Sequence, residues 1–161
     1  MNLVVPLLAT IVLLSAPSAA FAHGDDAAGA NAAAGHAATA FGHPGDAAKA
    51  TRTLDVAMTD AMRFTPRDFT VKKGETIRFV VRNEGSVEHE MVLGTEASLR
   101  EHAQEMRDMP GMAHVDPNMV RVKPGAQGSF VWTFDKAGRF SVACLIPGHF
   151  EAGMKGSVVV R

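Results

Sequence analysis

The stretch "DFTVKKGETIRFVVRN", residues 68–83, decides the fold class. A short strand-like run, "DFTV", is followed by a turn at Lys73-Gly74 and then by "TIRFVVRN", rich in β-branched and aromatic residues. That order of residue types predicts strand, turn, strand. The same texture recurs on either side. "TLDVAM" precedes it, and "EHEMVLG", "QGSFVWTF", "GRFSVACL" and "KGSVVVR" follow. Gly74, Gly85, Gly94, Pro124-Gly125, Gly138 and Pro147-Gly148 punctuate the junctions. Seven or so short strands between such turns predict an all-β fold, a Greek-key β-sandwich, over residues 52–161.

One segment departs from this texture. Residues 95–118, "TEASLREHAQEMRDMPGMAHVDPN", lack β-branched alternation. "EASLREHAQEMRDM" holds helix formers throughout, Thr95 suits an N-cap, and Pro110 stops any continuation. The segment reads as one short helix and a loop inserted between two strands.

The N-terminal third differs again. Leu3–Leu14 is an apolar run of 12 residues, shorter than the roughly 20 a bilayer-spanning helix needs. Small residues at Ala20 and Ala22 follow in an A-x-A pattern. Residues 1–22 are therefore expected to be a signal peptide, although "MN" supplies no Lys or Arg ahead of the run. No cysteine stands directly after the run, so no lipid anchor is expected. The expected mature chain starts at His23, lies in the periplasm and has no membrane span. Residues 23–51 are mostly Ala and Gly with scattered Asp and His, and read as a disordered leader. Its His23, His36 and His43 are either part of a soluble spacer or a weak copper- or zinc-collecting tail. The formal net charge of −1 gives no reason to expect a nucleic-acid partner.

The chain has a single cysteine, Cys144, so no internal disulfide forms. In an oxidising compartment an exposed thiol is vulnerable, so Cys144 is expected to be buried, metal-bound or both. It opens "CLIPGHFEAGMKG", residues 144–156, with His149 five residues on and Met154 five beyond that. Thiolate and thioether suit Cu(I), and imidazole suits both copper states. Two His and one Cys in a plane with a weak axial Met make a type 1 copper site. The alternative is a core cysteine with a space-filling methionine. Zinc fits less well, because thioether is a poor ligand for it. Among the remaining histidines only His89 falls on an expected strand, which makes it the natural second imidazole.

The blocks "FTPRDFTVKKGETIRFVVRNEGSVEHEMVL" and "GRFSVACLIPGHFEAGMKGSVVV" together resemble the cupredoxins, such as plastocyanin, azurin and rusticyanin. The C-x4-H-x4-M spacing is most similar to the rusticyanin type of loop. The resemblance spans residues 52–161 and implies His89, Cys144, His149 and Met154 as the four ligands. Cupredoxins often carry Asn, Asp or a similar group after the upstream His; here Glu90 stands there. With its His-bearing leader and Met-rich insertion, the chain also resembles secreted cupredoxin-like proteins of bacterial copper tolerance. The resemblance implies a protein that binds copper in the periplasm and limits its toxicity, either by oxidising Cu(I) or by sequestering it; a monomer is expected. The alternative is a small electron carrier that docks a redox partner protein. A copper enzyme would need further copper centres, commonly with H-x-H pairs, and the sequence has none. In the insertion, His102, Met106, Met109, Met112 and His114, with Met119 next, read either as an apolar lid or as a second, soft Cu(I) site.

Overall fold

The alternation in residues 76–83 becomes the central strand of a sheet. In this computed structural model, residues 39–109 and 115–161 are described. They form β1 (Gly42–Pro44), β2 (Arg52–Thr59), β3 (Arg63–Thr65), β4 (Asp68–Val71), β5 (Thr76–Asn83), β6 (His89–Gly94), α1 (Glu96–Asp108), β7 (Met119–Val122), β8 (Gln127–Phe134), β9 (Gly138–Ala143) and β10 (Lys155–Val160). Along β5, Ile77, Phe79 and Val81 are fully buried, while Arg78 and Arg82 face outward. That is the two-residue period of a strand with one face in the core.

Two five-stranded sheets result, ordered β1-β8-β5-β2-β3 and β4-β10-β9-β6-β7. The turn at Gly74 joins strands of different sheets, so it is a corner of the sandwich rather than a hairpin. Between the sheets lie Phe79, Trp132, Phe134, Met58, Met91 and their neighbours. Phe79 stacks on Phe130 with ring centroids 4.8 Å apart. Each such fully buried apolar side chain contributes about 1.5–3 kcal/mol relative to exposure.

Two features of the topology position the site. First, β2 and β5 run parallel, with Met58 opposite Asn83. The β2–β3 turn and the β5–β6 connection therefore emerge at the same end. Second, β9 and β10 are antiparallel, with Ala143 opposite Lys155, so residues 144–154 form their connecting loop.

The domain begins earlier than the sequence suggests. Residues 39–51 were expected in the leader, yet β1 pairs with β8, His43 opposite Thr133. Phe41 is buried, 5.3 Å from Trp132 and 5.0 Å from Phe140 between ring centroids. One aromatic residue in an Ala/Gly-rich segment is enough to anchor it once a core aromatic pair is there to receive it. The expected signal peptide and residues 23–38 lie outside the described residues. The insertion forms α1 as expected, with Ser98 N donating to the Thr95 hydroxyl at 3.1 Å as a capping bond.

Candidate metal centre

His89 opens β6, where it is paired opposite Val122 of β7, and its ring is fully buried. Cys144 follows the last residue of β9 and is also fully buried. The loop after it folds on its own backbone. His149 N donates to Ile146 O (3.0 Å), Ala152 N to Gly148 O (3.0 Å) and Gly153 N to Phe150 O (3.1 Å). Cys144 N donates to Met154 O (3.1 Å), and Met154 N donates to His149 O (3.0 Å). Two consecutive reversals are made at Gly148 and Gly153, both at φ 90°, where side chains are rarely accommodated. The loop thus returns Met154, fully buried, directly beside Cys144.

The three donors converge. His89 Nδ1 lies 3.2 Å from His149 Nδ1, which lies 3.3 Å from Cys144 Sγ. All three donor atoms fall within 4.8 Å of one another. No second group of His, Cys or carboxylate donors converges in this way among the described residues.

The electrostatics suit a cation. Burial pushes the Cys144 thiol up to about 12, so a bare thiolate is disfavoured there and a bound metal ion would offset the cost of forming it. Burial, and next the neighbouring His89, hold His149 below the ordinary histidine value, so it presents a neutral ring. One sulfur and two imidazole nitrogens form a donor set for a soft redox metal, and the backbone of Met154, whose side chain is buried, is bonded to that of Cys144.

Around these donors stands a layer of charged groups. Glu90 is buried and bridges the two ligand-bearing segments: its Oε1 accepts from Leu145 N at 3.1 Å and its Oε2 from Arg121 Nε at 3.0 Å. Its backbone N–H points at Cys144 Sγ, 3.5 Å away. The residue that stands out in sequence as a departure therefore joins β6 to the Cys144 segment. Asn83 donates to Val87 O (2.7 Å) and Val122 O (2.9 Å), which organises the approach to His89. Glu151 accepts from Gly148 N (3.1 Å) and pairs with Arg107 of α1, so the inserted helix is tied to the ligand loop. Arg63 Nη1 reaches the loop carbonyl of Ala152 at 3.3 Å.

Sequence reading missed Asp60. Its carboxylate lies 3.2 Å from His89 Nε2. Hydrogen bonds from the Ser86 hydroxyl, then from the Ser86 backbone, hold its carboxyl well below the usual carboxylate range. Nothing in spacing links residues 60 and 89; only the parallel β2–β5 pairing brings them together.

The other candidate donors are dispersed. Met106 and Met119 are buried in a second apolar cluster with Leu99, Ala103, Val92, Ala143 and Leu145, against which Phe150 packs. Met109 is exposed, and His102 lies half-buried on α1. His43 pairs with Asp135 at 2.6 Å on the edge strand β1. His23, His36, Met112 and His114 lie outside the described residues.

A buried thiol and two convergent imidazoles in an all-β sandwich mark a candidate soft-metal-binding protein. Residues 50–161 match the copper binding proteins of the plastocyanin/azurin family, and the chain belongs to that family. It is a copper-binding cupredoxin, and His89, Cys144 and His149 form a cluster able to hold the ion. It is 58% identical over 158 residues to the copper-resistant cuproprotein CopI of Rubrivivax gelatinosus, covering 97% of this chain and 96% of that protein. It is 42% identical over 151 residues to the protein of the same description from Pseudomonas aeruginosa, covering 76% of this chain and 83% of that one. Among solved structures, auracyanin from the photosynthetic bacterium Roseiflexus castenholzii shares the fold, with a TM-score of 0.59 at 22% identity over 68% of this chain and 96% of its own. No helix among the described residues is long and apolar enough to cross a membrane.

Proposed function

We propose that this protein acts in copper tolerance in the periplasm, holding one redox-active copper ion with His89, Cys144, His149 and Met154. The observation that carries the proposal is the convergence of those three His and Cys donors in a chain similar over nearly its whole length to a copper-resistant cuproprotein. The expected signal peptide supports export. Copper held there supplies one-electron exchange between Cu(I) and Cu(II). The chain's own part is to keep the donors still: Glu90 locks Leu145, Glu151 locks Gly148, and the loop backbone locks Met154 onto Cys144. A cage held this firmly from outside changes little with oxidation state. The proposal includes no substrate turnover.

A second reading, electron shuttling, draws on the rim of the site. Ile146, Pro147, Phe150 and Ala152 neighbour the partly exposed His149 along the loop, and apolar surface there would be of the kind that docks a redox partner. Deleting the gene separates the two. Heightened copper sensitivity supports the tolerance role. Normal copper tolerance with impaired respiration would reject it in favour of the shuttle.

A further inference from the structure

Asp60 touches a donor ring without converging on the site itself. It sits on the β2–β3 turn, contributes no ligand, and yet reaches the far side of a ligand ring. We propose that Asp60 is a positioning residue of the copper centre: it fixes His89 with Nδ1 turned into the site, and its charge favours Cu(II) over Cu(I). This rests on the reading of His89 as a copper ligand.

The geometry is specific. His89 has two ring nitrogens: Nδ1 faces His149 at 3.2 Å, and Nε2 faces Asp60 Oδ1 at 3.2 Å. A carboxylate oxygen only accepts, so Nε2 must carry the proton and donate it. Nδ1 is then left with its lone pair directed at the other donors. A carboxylate behind a ligating imidazole fixes the tautomer and raises ligand basicity. The more basic the ring, the better it stabilises the more highly charged metal state.

Asp60 is itself held in place. Its Oδ2 accepts from Ser86 N (2.7 Å) and the Ser86 hydroxyl (2.5 Å), and its Oδ1 accepts from Val87 N (3.3 Å). Gly85 makes the approach feasible, because a Cβ added there would lie 2.1 Å from Asp60 Oδ1. A competing role is plain: Asp60 as nothing more than a cap on the 84–88 connection. Capping alone would change stability and leave the balance between the two copper states untouched.

The test is the midpoint potential of the copper-loaded full chain, with Asp60→Asn and Asp60→Ala. Removing such a partner costs about 10–100-fold in metal affinity, and the partly exposed carboxylate places this case near the lower end. Cu(II) binding should weaken about tenfold relative to Cu(I) in both variants, which is a rise of about 59 mV for one electron. Ser86→Ala removes one of the two donors to Oδ2 and keeps the carboxylate, so it should lower stability and move the potential far less than either Asp60 variant. A variant-free measurement stands beside these. In the apo protein, nitrogen-15 NMR should show His89 as the Nε2–H tautomer; an Nδ1–H tautomer would overturn the proposal. So would an Asp60→Asn potential equal to that of the unmutated protein, or an equal shift from Ser86→Ala. An unmutated protein without a thiolate-to-Cu(II) absorption band would overturn the ligand reading as well. A protein with that band and an insensitive potential overturns only the role of Asp60.

Discussion

Two regions of this molecule are rich in soft metal donors, and they behave differently. The β9–β10 loop contributes one thiol, one imidazole and one thioether, and its Cys144 and His149 meet His89 of β6 so that three donors converge. The α1 insertion and the start of β7 hold more methionines, yet Met106 and Met119 turn inward to pack beneath the helix. Donor density is thus a poor guide to a site. Convergence is what matters, and it requires backbone turns that aim separate side chains at one point. A methionine on an amphipathic helix meets a stronger competing demand, because the apolar face must be buried.

The contrast can be broken most directly at Cys144. Cys144→Ser should abolish the intense visible absorption of the Cu(II) protein, since the hydroxyl supplies no thiolate; a coloured variant would remove Cys144 from the ligand set. On the other side, Met106→Ala should leave spectrum and copper stoichiometry unchanged while destabilising the fold by about 2–5 kcal/mol, read by denaturant unfolding. A drop in bound Cu(I) at unchanged stability would instead make Met106 a ligand. Glu90→Ala should cost roughly 1–3 kcal/mol, because Leu145 N–H loses its buried acceptor. Met109→Ala, at an exposed position, should change stability by less than about 0.5 kcal/mol.

Apo stability should depend on pH at both ends. His149 and Asp60 both have folded pKa values below their ordinary ones, so the unfolded chain binds more protons as the solution is acidified. Stability should fall first as the pH drops below the ordinary His value of 6.5, and again below 3.8. Cys144 works in the opposite direction. Its raised folded value contributes stability that is complete below 9.0 and is lost as the pH rises toward about 12. Copper should flatten the alkaline limb, because it holds the thiolate in the folded state. Unfolding midpoints of apo and copper-loaded protein across pH check both signs.

Much of this was legible without coordinates. The long strands were readable because β5 and β8 alternate over eight residues each. Strands β1, β3 and β7 were not: β1 and β3, at three residues each, establish no period, and β7, as short as β4, follows directly on the segment that read as helix and loop. The helix was readable from Thr95 and the helix formers behind it, but the fate of its methionines was not. Glu90 shows the limit from the other side. Its position after His89 marks it in sequence as a departure, while its use, accepting from Leu145 in the loop after β9, depends on the β6–β9 pairing.

The sequence by itself determined the class of fold, the short loop holding Cys144, His149 and Met154, and the choice of His89 as their partner. These are local matters, set by strand periodicity and by donors close together along the chain. Tertiary structure alone decided that Phe41 anchors the domain's first strand, that Met106 and Met119 are buried in the cluster beneath α1, and that Asp60 stands behind His89. Each depends on which strands lie side by side. Parallel pairing of β2 with β5 carries Asp60 to a histidine with which it shares no spacing, and no one-dimensional pattern encodes that adjacency.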